Sequence, residues 1–215
     1  MAVLFGLTGV CGCSDEEVPV TPVVPESLPF PETPDKLMQN FQTIYESLDY
    51  DALANMLHPD YVTILQESTV NSFPTLGAWL DVAEERRIGE RMFSRQDVLD
   101  PMGALVPGIQ TIAFQTFARQ GSWALSSAQD QIPNVQSALY EVVILFDRGQ
   151  VNETLKVQGA IRFYVTPRDS VVAGVTKPYY RMIGQVDLTA DQKSAAGGSS
   201  GVEPDSWGRV KAIFR

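Results

Sequence analysis

Histidine, cysteine, paired carboxylates and tyrosine carry most metal, nucleophilic and acid–base chemistry, and this chain deploys them unevenly. Its single histidine is His58, and its two cysteines, Cys11 and Cys13, stand two apart near the N-terminus. A histidine-based zinc site or a serine–histidine relay therefore has one candidate at most. Beyond residue 13 there is no cysteine for a disulfide, a thiolate metal site or a nucleophile. His58 sits in Leu57-His58-Pro59-Asp60, which reads as a helix-ending turn: a terminal histidine suits the helix dipole and proline stops the helix. Asp97, Asp100, Asp130, Asp147, Asp169 and Asp191 fall in expected turns or tails, and Asp187 and Glu141 fall on expected strands. Gly197-Gly198 is followed by no helix start, so it forms no phosphate loop. No catalytic residue, metal ligand or cofactor is assigned. Tyr45, Tyr61, Trp79, Tyr140 and Tyr180 are the candidates for lining a ligand pocket. The alternative for such rings is a place in the core or its wall, with the polar atom at the rim.

The whole chain bounds these candidates. Its 215 residues suit one domain and a tail, and 44% hydrophobic with 20% charged residues is a globular composition. The formal net charge is −10, with no compensating Lys/Arg cluster, so a nucleic-acid footprint is absent.

The elements that must position the candidates change character along the chain. Thr33-Pro34-Asp35 is a helix start, with an N-cap, proline at the first helical position and an acid in the first turn. Leu37, Phe41, Ile44, Tyr45 and Leu48 follow at helical spacing; Asp49 restarts the pattern with Leu53, Met56 and Leu57, and His58-Pro59 ends it. Tyr61 to Leu65 reads as a short strand. A third helix is expected over Leu76 to Phe93, with Trp79, Leu80, Ala83 and Met92 inward and Glu84-Glu85-Arg86-Arg87 outward. Past residue 108 the period becomes two. Ile109–Arg119, Leu139–Phe146, Thr154–Val165, Tyr179–Leu188 and Trp207–Phe214 read as strands of an antiparallel sheet. The stretch Tyr140–Phe146 is apolar on both faces, which suits a central strand or a sheet covered by a second copy. Asp147 to Asn152 supply a hairpin turn, and a mobile loop is expected at about residues 190–205.

The N-terminal segment points to an address. An apolar run from Val3 ends in Val10-Cys11-Gly12-Cys13, too short for a membrane span but of signal-peptide length. It resembles a bacterial lipoprotein signal, in which aliphatic and small residues precede the cysteine that takes the lipid, here Cys13. No Lys or Arg precedes Lys36, so the basic n-region is missing, which reads as a start placed too far downstream or a truncated chain. Ser14-Asp15-Glu16-Glu17 and Pro19, Pro22, Pro25, Pro29, Pro31 and Pro34 form an acidic, extended tether. The expected organisation is a signal segment at 1–13, a tether at 14–33 and one domain at 34–215. The expected location is the bacterial cell envelope, on the periplasmic or surface face, with the membrane reached through the lipid.

Helices first and strands afterwards is the order of an α+β layer fold. That order, with Pro34-Asp35-Lys36-Leu37-Met38-Gln39-Asn40-Phe41, Leu48-Asp49-Tyr50-Asp51, Leu57-His58-Pro59-Asp60-Tyr61 and Trp207-Gly208-Arg209-Val210-Lys211, resembles the nuclear transport factor 2-like cone fold. The likeness is to bacterial lipoproteins of that superfamily, which also includes ketosteroid isomerases and polyketide cyclases. It implies helices packed on a curved antiparallel sheet. The function expected is non-catalytic: binding of a small apolar ligand or a protein partner, with a homodimer through the sheet as a further possibility. The competing reading is an isomerase- or cyclase-like enzyme with Asp and Tyr acid–base groups inside the cone.

Overall fold

The computed structural model describes residues 28–172, 174–189 and 202–215. Cys13, the signal segment, most of the tether and most of the glycine/serine loop lie outside them. The chain runs α1 (Pro34–Ser47), α2 (Tyr50–Met56), β1 (Leu57–Ile64), α3 (Glu67–Ser72), β2 (Trp79–Asp81) and α4 (Val82–Phe93). It continues through β3 (Val98–Leu99), β4 (Leu105–Val106), β5 (Thr111–Leu125), β6 (Gln136–Asp147), β7 (Thr154–Val172), β8 (Val175–Thr189), β9 (Val202–Asp205) and α5 (Trp207–Ile213).

The first two helices form for the reasons their sequence states. Thr33 caps α1 by accepting from the Lys36 amide with Pro34 in the first turn, and Asp49 caps α2 by accepting from the Ala52 amide at 2.9 Å. Leu37, Phe41, Ile44 and Tyr45 turn one stripe of α1 inward. Phe41 stands 5.6 Å from Phe117 and 5.1 Å from Phe163, ring centre to ring centre, which pins α1 to β5 and β7.

Among the described residues the sheet has seven strands in the order β2-β1-β8-β7-β6-β5, with β9 beside the start of β7. The fold class is α+β, a curved sheet with a few helices, as expected for the cone. The β5 to β8 run is antiparallel, but β1 pairs β8 and β9 pairs β7 in parallel, so the sheet is mixed. On β7, Leu155, Val157, Ile161, Phe163 and Val165 are all buried, which bears out the alternation except at Tyr164, expected on the wet face but buried in a second small cluster with Ile132 and Val186. The β6–β7 turn is where it was expected, with Gly149 at φ +90° and its amide on the Asp147 carboxylate at 3.0 Å. β6 is a central strand, flanked by β5 and β7.

Four expectations need correction. Trp207–Phe214 is not a strand: α5 occupies Trp207–Ile213, capped by Ser206 on the Arg209 amide, and the strand is the preceding Val202–Asp205. The buried set Trp207, Val210, Lys211 and Phe214 is one helical face at i, i+3, i+4 and i+7. The third long helix starts only at Val82, where Asp81 accepts from the Glu84 amide; Trp79 lies on β2 and is 68% exposed, and Ala83 is exposed. Glu85, expected outward, is 2% exposed, because it shares the Ile88/Met92 stripe. Finally, α2 does stop where expected, with Leu57 as its C-cap directly before His58, but the chain passes straight into β1 instead of a turn, and His58 is buried on that strand. The ladder between β1 and β8 shifts register between Leu57 and Val62, around Pro59, which has no amide to donate.

Candidate functional site

Two places among the described residues bring polar groups and space together: the interior behind β1, and a hollow beside β8. In the interior, β1 brings Tyr61 and Thr63 inward two residues apart, α4 brings Glu85 and α5 brings Lys211. The Lys211 ammonium, fully buried, is ion-paired with Glu85 Oε1. It also donates to Thr63 Oγ1 at 3.2 Å, and that hydroxyl donates to Glu85 Oε2 at 3.1 Å. The Tyr61 hydroxyl lies 2.8 Å from the same oxygen. Thr63 can thus donate once and accept twice, its full capacity. Lys211 stands 4.8 Å over the Trp207 ring, whose indole N–H donates to Gln185 Oε1 at 2.8 Å. Burial pulls the Lys211 pKa below its ordinary value, and Glu85 opposes the shift. Burial pushes the Tyr45 and Tyr61 hydroxyls well above the usual tyrosine range, with Glu85 adding to it.

Asp187, on β8, closes the same region. Its Oδ1 accepts from the Thr189 amide at 2.9 Å and hydroxyl at 2.5 Å, and Oδ2 accepts from the Gly208 amide at 2.8 Å. Burial raises its pKa, against these donors. A Cβ on Gly208 would stand 2.8 Å from Asp187 Oδ2, so this approach of helix to carboxylate needs glycine. The Glu85 and Asp187 carboxylates are both committed to neighbours in the chain. Among the described residues no group of three or more His, Cys, Asp or Glu side chains could hold a metal ion.

The hollow is built differently. It measures about 520 Å³ and is walled by Leu37 and Ile44 of α1, Ala52 and Met56 of α2, Tyr179–Arg181 of β8 and the proline-spaced segment Leu28–Pro31. That segment is held in place: the Tyr180 amide donates to Pro31 O at 2.8 Å and Asn40 Nδ2 to Pro29 O at 2.7 Å. The proline-spaced segment before α1 is therefore one wall of the hollow. Beside it, the Arg168 guanidinium meets His58 Nε2, and the Asp60 carboxylate lies 3.7 Å from His58 Nδ1. Burial and then Arg168 lower the His58 pKa, with Asp60 opposing and Arg181 adding a smaller push the same way. A second, smaller hollow of about 410 Å³ is lined by Pro59–Val62, Trp79 and the start of α4.

The five sequence-selected rings divide among these places and do not share one site. Tyr180 walls the larger hollow, and Trp79 and Tyr61 line the smaller one. Tyr45 is packed between Phe41, Phe93 and Trp207. Tyr140 packs against Phe117, Trp123 and Phe163, and burial raises its pKa well above the usual tyrosine range. Sequence reasoning missed Lys211, Glu85 and Arg181. The helical stripes 207/210/211/214 and 85/88/92 were signals for the first two; no local signal marks Arg181.

No protein-family model matches the chain, and no curated protein matches it in sequence. A solved structure from Novosphingobium aromaticivorans, described as a "putative aromatic ring hydroxylase", is similar at 14% identity and a TM-score of 0.41, covering 71% of this chain and 82% of that one. So loose a superposition does not extend to a site. No helix among the described residues is long and apolar enough to cross a membrane.

Proposed function

We propose that this protein is a binding domain of the bacterial cell envelope, tethered through a lipid on Cys13, that takes a small apolar ligand in the hollow between α1, α2, β8 and the end of the tether. The observation that carries the ligand is the hollow itself: about 520 Å³, within the ~300–1,000 Å³ of small-molecule sites, with mostly apolar walls. The non-catalytic character is supported by the interior, where Glu85 and Asp187 are committed to partners within the chain. The anchor is supported by Val10-Cys11-Gly12-Cys13 and the acidic proline-spaced tether.

Titration of the protein with the uncharged probe N-phenyl-1-naphthylamine tests the hollow. Saturable one-to-one fluorescence enhancement is expected, lost in Asn55→Trp, which fills the hollow from the exposed side of α2. Absence of saturable binding, or binding untouched by Asn55→Trp, sinks the reading. For the anchor, Cys13→Ala in a bacterial host should move the protein from the membrane pellet to the soluble fraction. Retention in the pellet refutes it.

A further inference from the structure

Among the described residues Arg181 is the one charged residue in the wall of the larger hollow, half-buried and without an ion-pair partner. Its Nε is buried with no hydrogen-bond partner, and its guanidinium carbon lies 5.9 Å from the centre of the Tyr179 ring. Arg215 also has a buried, unpartnered Nε, but there the rest of the guanidinium is bonded to Glu84 and to Thr75 O. No carboxylate among the described residues forms an ion pair with Arg181 or with Arg168 two strand-pairs away. This stands out in a chain whose formal net charge is −10. Among the described residues the one group bonded to Arg168 is the His58 imidazole, which brings no negative charge. Positive charge is therefore concentrated at one end of a hollow whose other walls are Leu37, Ile44 and Met56.

We propose, resting on the ligand-binding reading above, that the hollow takes a small amphipathic monocarboxylate, its head on the Arg181 guanidinium and its apolar body against Leu37, Ile44 and Met56. A carboxylate matches the planar two-point donor face of guanidinium. One arginine balances one negative charge, and the acidic protein as a whole disfavours a dianion such as a phosphate monoester. Tyr179, on which the guanidinium rests, keeps it turned along the wall.

Decanoate and decan-1-ol share a body and differ in the head, so calorimetric titration of each separates the two claims. Wild-type protein is expected to bind decanoate one-to-one, at least tenfold tighter than decan-1-ol. Arg181→Gln should remove that tenfold advantage and leave decan-1-ol binding unchanged, which also shows that the variant is folded. Arg181→Lys should restore part of the advantage, since it keeps the charge and loses the fork. If decanoate and decan-1-ol bind wild type equally, or Arg181→Gln weakens both alike, the anionic head is wrong while the apolar hollow stands. If neither binds wild type, the ligand-binding reading falls with it.

Discussion

Lys211 and Arg181 are both drawn into the domain, and their surroundings are opposite. Lys211 has an ion-pair partner in Glu85, a hydroxyl in Thr63 and a ring in Trp207, with no exposure left. Arg181 has the Tyr179 ring and the open space of a hollow. A charge that is fully paired inside a packed core holds elements together; a charge left unpaired at the wall of a cavity is available to something else. The interior of this domain is therefore a locking device joining β1, α4 and α5, and the larger hollow lies outside it, between α1, α2 and β8.

The largest effect should come from breaking the interior pair on one side. Lys211→Met leaves Glu85 buried and unpaired and should cost about 3–5 kcal/mol by urea unfolding, while Glu85→Gln with Lys211→Met should recover most of it. A loss below about 1 kcal/mol in the single variant would mean that the pair does not bind these elements together. Asp187→Asn comes next, at about 1–3 kcal/mol, because its amide donors would confront the Thr189 or Gly208 N–H groups that now meet a carboxylate. The measurement is again the unfolding midpoint.

His58, on the cationic side of the hollow, should show in pH dependence. Its folded pKa lies below the ordinary 6.5, so above that value both states are neutral. As pH falls through 6.5 the unfolded chain takes a proton that the folded one refuses, and stability declines until the folded pKa is reached. Unfolding midpoints at pH 7.5 and 5.5 should differ in this direction, and His58→Gln should shrink the difference. An unchanged slope would remove His58 from the account. The smallest change in stability is expected for Arg181→Gln, within about 0.5 kcal/mol, since among the described residues it loses no ion-pair partner and only a contact with the Tyr179 ring. A larger loss would show that Arg181 holds the fold as Lys211 does, and the contrast between the two cations would disappear.

Much of the scaffold was legible because local patterns and local physics agree. Thr33 and Asp49 announce their helices by capping chemistry, and residues 155–165 announce a strand by alternation. The errors fall where two periods overlap. In Trp207–Phe214 apolar residues are dense enough to satisfy a period of two, yet Ser206 caps a helix and the buried set follows its face. Glu85 was read outward because it stands in a run of four charges, a composition argument that its helical phase overrides.

By itself the sequence determined the α+β order, the caps and the alternating faces, and it confined every cysteine to the first thirteen residues. Those are properties of neighbours along the chain, where spacing and side-chain type act directly. Only the tertiary structure decided that Lys211 meets Glu85 from 126 residues away, and that Arg181 faces a hollow whose opposite walls come from α1, α2 and the end of the tether. Whether a charge is paired or free depends on what the fold brings beside it, and no local pattern carries that information.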